Sequence, residues 1–485
     1  MNMLSTWFTG CRRPASPFPS FSSVSNPSTT ILPDYEQMQA HCSGRALLAQ
    51  ELPYAQKIID TYVQAEMLQA VPAITQQGSF SQCLRCSNKN PGLFGSHTCA
   101  CGSGRCVYCR ECLEMGRVSA CTPLYCWTGP EAAPVYSDPL VWSGRLSSEQ
   151  EQASRAAANA GLLKQELYIW AVCGAGKTEM MFQAVAEALA RGERVLWATP
   201  RTDVVRELYP RLAGVFPEVP AASWYAGSPD ARPEARLVLA TAHQARRFKG
   251  AFDMAVIDEV DAFPYVFDPG LQQAVQEACR PQAAVIYLSA TPGKHEQRRM
   301  KSGALAYVRV PRRFHGQPLP MPACRWAGNW RLQLTRGGLP HALMQWCRSR
   351  DTAYPLFVFV PSVAAVRPVV EALRAEGFRC DGVHADDEKR EEKITAFRKG
   401  DIDILVTTTI LERGVTIPKA DVAVLGADDD IFTESALVQI AGRAGRNPER
   451  PEGDVVFFHY GRTRAMQQTI RHIQTMNREE AEPGE

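Results

Sequence analysis

Tyr168-Ile169-Trp170-Ala171-Val172-Cys173-Gly174-Ala175-Gly176-Lys177-Thr178-Glu179-Met180-Met181 is the stretch from which the fold of this 485-residue chain can be read. Its apolar start, Tyr168–Cys173, reads as a buried strand, and the residues from Glu179 onward read as a helix. Between them, Gly174 and Gly176 open a turn whose backbone N–H groups can wrap phosphate oxygens. Lys177 is placed to neutralise the terminal phosphates, and the Thr178 hydroxyl to ligate Mg²⁺. Ala171 departs from the general pattern, which has glycine at that position.

The same texture extends in both directions. Short apolar runs recur at Arg194–Thr199, Arg236–Ala240, Met254–Ile257 and Val285–Leu288, each separated from the next by a longer amphipathic stretch. After a Pro/Arg-rich passage, Pro311 to Pro322, they resume at Pro355–Val360, Ile402–Val406, Val422–Leu425 and Val455–Phe458. Apolar strands interleaved with helices predict α/β architecture, with parallel sheets covered on both faces. There are enough strands for two such sheets, joined through the Pro/Arg-rich passage. The expected boundaries are a first lobe over 141–310 and a second over 311–475. Ahead of them lie a cysteine-rich module over 76–130 and a variable region over 1–75. Within that region, residues 1–40 read as a flexible Ser/Pro/Thr-rich tail and 45–75 as weakly helical.

Three further elements carry chemistry. Asp258-Glu259-Val260-Asp261 closes an apolar run, which puts carboxylates at a strand tip. Asp258 there can hold Mg²⁺, and Glu259 can orient and deprotonate an attacking water. Ser289-Ala290-Thr291 follows another strand, and its hydroxyls are placed to hydrogen-bond the Asp258–Asp261 segment. In Gln439-Ile440-Ala441-Gly442-Arg443-Ala444-Gly445-Arg446, two arginines three apart on one helix turn can reach a phosphate held by another domain. That is the arginine-finger arrangement.

Composition narrows the partners. Lys plus Arg total 53 against 51 Asp plus Glu, so any nucleic-acid contact has to use local basic surface. No stretch approaches the roughly 20 apolar residues of a membrane helix, and the N-terminus lacks the pattern of a secretory signal. A cytoplasmic protein is expected. Nine of the 16 cysteines fall between Cys83 and Cys126, a density that in such a chain indicates metal rather than disulfides. Cys83-Leu84-Arg85-Cys86 and Cys109-Arg110-Glu111-Cys112 form two C-x-x-C pairs with zinc-ribbon spacing, so four thiolates can surround Zn²⁺. Cys99, Cys101 and Cys106 are rival ligands, and a second metal stays open. Five Lys/Arg (Arg85, Lys89, Arg105, Arg110, Arg117) against Glu111 and Glu114 give this region a basic surplus suited to nucleic acid.

Taken jointly, these motifs resemble the superfamily 2 helicases and translocases, among which Ala171 is a familiar variant. Thr199-Pro200-Arg201, Thr241-Ala242-His243-Gln244 and Thr407-Thr408-Thr409-Ile410-Leu411-Glu412-Arg413-Gly414-Val415-Thr416 fill the group's remaining positions in order. The resemblance implies two RecA-like lobes with ATP between them and a nucleic-acid strand across the top. It implies strand contacts from Thr199, Arg201, Thr241, His243, Gln244, Thr407 and Thr408. For the nucleotide it adds Gln150, reading adenine, with Glu179, Gly414 and Thr416 beside Gly174, Ala175 and Gly176.

The zinc module before such a motor is similar to the ComFA family of late-competence ATPases. The echoes are Tyr108 to Arg117, Cys121-Thr122-Pro123-Leu124-Tyr125, Asp258 to Tyr265 and Thr407 to Thr416, a span of about 80 to 460 that leaves out residues 1–75. Membership would imply a DNA-dependent ATPase acting on single-stranded DNA at the cytoplasmic face of the uptake channel, peripheral to the membrane. Its partners would be other competence proteins such as that channel and ComFC, with a homo-oligomer left open. Two rival readings stand beside it. One is a PriA-like restart or repair helicase, although that family carries its cysteines inside the second lobe. The other is a zinc-dependent DNA-binding protein whose ATPase acts as a switch.

Overall fold

The computed structural model describes residues 32–78, 80–102, 104–228, 232–411 and 417–478; residues 1–31 of the expected tail, and Gly414 and Thr416, lie outside them. The chain divides into two compact units, Met1–Ala133 and Pro134–Glu485.

The N-terminal unit opens with the helix Tyr35–Cys42, so the expected tail ends earlier than residue 40. It continues through β1 (Ala46–Leu47), the helix Gln56–Gln64, β2 (Leu68–Pro72), β3 (Ile74–Gln77), β4 (Phe80–Cys83), β5 (Phe94–Cys99), β6 (Gly104–Cys109) and β7 (Pro123–Trp127). β7 lies between β1 and β2 in an antiparallel sheet, while β3–β4 and β5–β6 form two hairpins. The span 45–75 is therefore helical over only part of its length. Its two strands are fixed by pairing with β7, a partner distant in sequence that local periodicity does not reveal. Because β2 pairs with β7, the boundary expected at residue 75 falls inside this unit. Met38, Cys42, Leu47, Ile59, Tyr62, Leu68 and Trp127 build one of its two cores.

The C-terminal unit holds two parallel sheets. The first contains β8 (Glu166–Ala171), β9 (Val195–Thr199), β10 (Ala221–Trp224), β11 (Leu237–Thr241), β12 (Phe252–Asp258), β13 (Cys279–Ser289) and β14 (Ala306–Val310), in the order β10-β11-β9-β12-β13-β8-β14. The second contains β15 (Ala323–Trp326), β16 (Leu356–Phe359), β17 (Cys380–Val383), β18 (Ile404–Thr407), β19 (Asp421–Leu425) and β20 (Val455–His459), in the order β15-β20-β19-β16-β18-β17. Every residue of β9, β11, β16, β18, β19 and β20 is buried, as helices on both faces of a parallel sheet require. These are two RecA-like lobes, and residues 311–322 run from β14 in one to β15 in the other. In such open sheets the strand order reverses beside the first strand, and ligands gather at the carboxyl ends. Here β8 lies between β13 and β14, and the phosphate-type loop leaves its carboxyl end.

Candidate nucleotide cleft and metal centre

The loop after β8 is built by two glycines in left-handed conformations, Gly174 (φ 79°) and Gly176 (φ 74°), which open the turn before the helix Lys177–Met180. Gln150 braces it from the preceding helix Ser148–Leu163. Its Oε1 accepts from the Ser147 N–H at 2.8 Å, and its Nε2 donates to the Ala175 carbonyl at 2.8 Å. Lys177 Nζ folds back to the carbonyls of Ala171 and Val172, at 3.2 and 3.3 Å. The Thr178 side chain is nearly buried, and Glu179 pairs with Arg211.

A cleft of about 560 Å³ opens over this loop, and its walls come from both lobes. Gln150, Gly174, Ala175, Gly176, Lys177, Thr178, Glu179, Asp258, Glu259, Arg443 and Arg446, dispersed through the sequence, all line it. Asp258 ends β12 as expected, and Glu259 takes a left-handed φ of 55° directly after it. Asp261, further along the turn, accepts hydrogen bonds from Thr291 after β13 and from Ser435 of the second lobe, the latter at 2.7 Å. The two hydroxyl oxygens lie 2.8 Å apart over the same carboxylate. The Ser-Ala-Thr segment thus joins the acidic strand tip to the opposite lobe.

The arginines are placed differently from the sequence reading. The helix Glu434–Ala441 ends before them, and Arg443 and Arg446 occupy the turn that follows, with Gly445 at φ 65°. This turn approaches the phosphate-type loop closely. Cys173 Sγ donates to Gln439 Oε1 at 2.9 Å, and a Cβ on Gly442 would lie 2.4 Å from Cys173 Cβ. Cys173 is thus a packed small residue between lobes. Arg443 is 1% exposed, and burial, with Arg446 alongside, pushes its guanidinium down to about 9. Burial lowers Arg446 as well, while Glu259 favours the charged form of both. A guanidinium stays protonated at neutral pH, so the shift expresses a charge held at a cost that a bound anion would relieve.

Sequence reading missed Arg313. It lies in the Pro/Arg-rich connector, is 2% exposed, and donates through Nη1 to the Gly445 carbonyl. Its Nε and Nη2 are buried without a hydrogen-bond partner, and burial followed by the charge of Arg446 pushes it down to about 10. The Phe314 N–H donates to the Gly174 carbonyl at 3.0 Å, tying the connector to the loop. Only the basic composition of the connector hinted at this; nothing in its spacing did.

The residues expected to touch a nucleic-acid strand lie outside the cleft, at the carboxyl ends of neighbouring strands. Thr199 and Thr241 are register partners at the ends of β9 and β11, and Thr407 ends β18. Thr199, Thr241 and Thr407 are buried, whereas His243 is exposed and Gln244 and Thr408 are half-buried. Arg201 is engaged between lobes: it pairs with Asp203 at 3.3 Å and donates to the Ile410 carbonyl, while Arg390 reaches Asp203 at 3.2 Å.

In the N-terminal unit, Cys83 ends β4, Cys109 ends β6, and Cys86 and Cys112 follow in the turns. Their four Sγ atoms lie within 4.8 Å of one another, with Cys83–Cys112 at 3.9 Å and Cys86–Cys109 at 3.6 Å. Hydrogen bonding, first from Cys112, holds Cys109 well below the ordinary thiol range. Four converging thiols, three of them fully buried, suit a tetrahedral Zn²⁺. The basic surplus shrinks here, because Arg85 is buried and paired with Glu51 at 2.7 Å. Cys99, Cys101 and Cys106 are not rivals for this centre; they gather with Cys121 in a second group.

Comparison with known proteins agrees with this geometry. Residues 31–126 match the competence protein ComFA N-terminal domain, residues 143–294 the type III restriction enzyme res subunit, and residues 339–448 the helicase conserved C-terminal domain. The first match begins at residue 31, so the similarity takes in much of the region that sequence reading had left out. The chain is 43% identical to competence protein ComFA of Bacillus subtilis, over 91% of this chain and 95% of that protein. It is 37% identical to competence protein ComFA of Streptococcus pneumoniae, over 86% and 95%. Among solved structures, S. cerevisiae Dbp5 bound to RNA and ADP BeF3 covers 69% of this chain and 92% of its own, with a TM-score of 0.50 and 15% identity, a likeness of fold alone.

Proposed function

The chain belongs to the ComFA family of competence proteins and carries that family's helicase-type ATPase lobes, and from this premise we propose that ATP hydrolysis here drives single-stranded DNA into the cytoplasm. The observation that carries the reading is the two-lobed cleft. It assembles a phosphate-type loop, a carboxylate pair and three guanidiniums, of which Arg313 and Arg443 are held almost entirely away from water. Such a cation cluster favours a polyanion, and the three guanidiniums come from the connector and the second lobe while the loop comes from the first. Catalysis then depends on lobe closure, which a DNA strand bridging both lobes would favour.

In this reading, Lys177 leaves the Ala171 and Val172 carbonyls to meet the terminal phosphates, and the glycine-shaped loop supplies backbone N–H groups. Thr178 and Asp258, hard oxygen donors lining one cleft, would hold Mg²⁺, which supplies charge neutralisation on the phosphates. Glu259 orients and deprotonates the attacking water. Arg443 and Arg446 stabilise the charge on the transferring phosphoryl group, and Arg313 adds donors to the bound nucleotide. Gln150 serves the nucleotide by bracing the loop and, with its remaining Nε2 hydrogen, by meeting the base. His243, Gln244 and Thr408 form the strand-facing surface, with Thr199, Arg201, Thr241 and Thr407 fixing the backbone beneath it. Cys83, Cys86, Cys109 and Cys112 hold a structural Zn²⁺ in the N-terminal unit.

The protein would act in the cytoplasm at the inner face of the membrane, beside the uptake channel and ComFC. Among the described residues no helix is long and apolar enough to cross a membrane. The test is ATP turnover measured in parallel with single-stranded DNA, duplex DNA and RNA. Strong stimulation by single-stranded DNA supports the proposal. Equal stimulation by all three, or efficient unwinding of forked duplexes, transfers the assignment to a general or restart-type helicase.

A further inference from the structure

We infer that Cys99, Cys101, Cys106 and Cys121 form a second zinc site, separate from the one that the paired C-x-x-C knuckles build. The four Sγ atoms lie within 4.8 Å of one another, with Cys99 and Cys121 at 3.6 Å. A tetrahedron with Zn–S bonds of about 2.3 Å has S···S edges of about 3.8 Å. A disulfide would instead bring two sulfurs to about 2.05 Å. The first group has edges of 3.9 and 3.6 Å, so the two clusters share one geometry.

The local fold explains how the four meet. Cys99 ends β5, Cys101 lies in the turn, and Cys106 stands on β6 opposite His97. Tyr108 bridges to Ser119, and the Ala120 N–H donates to the Val107 carbonyl at 2.8 Å, which brings Cys121 alongside β6. Cys106 and Cys109 are three residues apart on a strand and so point to opposite faces of the hairpin. One face therefore serves the first centre and the other the second, with no ligand in common. A two-stranded hairpin is marginally stable alone in water. The first centre fastens the end that carries Cys109, and the second would fasten the tip to the turn before β7. Cys101 and Cys121 are exposed, so as free thiols they would be open to oxidation, whereas zinc would keep them reduced and ligated.

The experiment is zinc stoichiometry of the full chain, purified reduced and without chelator, for wild type, Cys101→Ser/Cys121→Ser and Cys86→Ser/Cys109→Ser. Expected are about two zinc ions per chain in wild type and about one in Cys101→Ser/Cys121→Ser, whose substituted residues are exposed. Native alkylation read by mass spectrometry gives a second measure that does not depend on the variants folding. Cys101 and Cys121 should resist modification until a chelator is added. One zinc in wild type, unchanged in Cys101→Ser/Cys121→Ser and lost in Cys86→Ser/Cys109→Ser, would overturn the second site and leave the first standing. Rapid alkylation of Cys101 and Cys121 in zinc-replete protein, or a Cys99–Cys121 disulfide in anaerobically prepared protein, would also overturn it. Failure of the motor assignment would leave these measurements unmoved.

Discussion

Arg443 holds a positive charge where almost no water reaches it, with Arg446 beside it and Arg313 on the connector wall of the same cleft. Charges so placed are tolerated when an anion arrives to share them. On the proposed mechanism, Arg443→Ala or Arg446→Ala should lower kcat by on the order of 10³ or more while ATP affinity changes much less. A pure loss of affinity at normal kcat would count against the finger role. Arg313 should behave otherwise, because its unpartnered Nε and Nη2 are available to the bound nucleotide throughout. A hydrogen bond to a charged group contributes about 1.5–3 kcal/mol, so Arg313→Ala should weaken ATP binding roughly 10- to 100-fold, as read by nucleotide titration. Lys177→Ala should abolish turnover and leave DNA binding largely intact. Hydrolysis at the wild-type rate in that variant would remove the phosphate-loop reading.

Elements decide which parts of the molecule a sequence discloses. All nine apolar runs picked out along the chain are strands, and each lies inside one of the two sheets. β10, β14, β15 and β17 went unread, and these are the four sheet edges. An edge strand has a neighbour on one side only and need not be continuously apolar, and β14 and β15 are indeed largely exposed. The site shows the same division. Lys177, Asp258 and Glu259 were legible because chemistry fixes their places on a loop and at a strand tip. Arg313 was not, because a lone arginine becomes informative only when tertiary packing buries it. Gly442 is a further case, since its reason lies across the cleft in Cys173. Gly442→Ala should push the arginine turn away from the phosphate-type loop. Misplacement by about 1 Å can cost on the order of 10² in rate, so kcat should fall on that scale with single-stranded DNA affinity nearly unchanged. Wild-type kcat would show that this contact does not set the arginine position.

At the scale of the whole molecule, a net charge of +2 means that DNA affinity must come from local surface rather than from bulk attraction. With Arg85 withdrawn into the core, the N-terminal unit offers Lys89, Arg105, Arg110 and Arg117 as its exposed cations in the cysteine region. Cations of this kind meet phosphates and position a strand without reading its bases. Removing the zinc of the first centre, by chelation or by Cys86→Ser/Cys109→Ser, should therefore weaken single-stranded DNA binding about equally for all sequences. DNA-stimulated ATPase should fall with it, while basal ATPase stays near wild type, because the lobes carry their own cores. Binding should lose affinity with salt at a slope near −0.7 for each phosphate neutralised on a single strand, and the slope should become shallower when the module is disrupted. An unchanged slope would place the DNA contact entirely on the lobes. The two modules meet in one measurement on living cells. In a naturally transformable host, both Lys177 and the first four cysteines should be needed for imported DNA to reach the cytoplasm, since on the proposed function one would serve ATP hydrolysis and the other the grip on DNA. Transformation at normal frequency in a Lys177→Ala strain would leave a DNA-dependent ATPase and take away its task as the uptake motor.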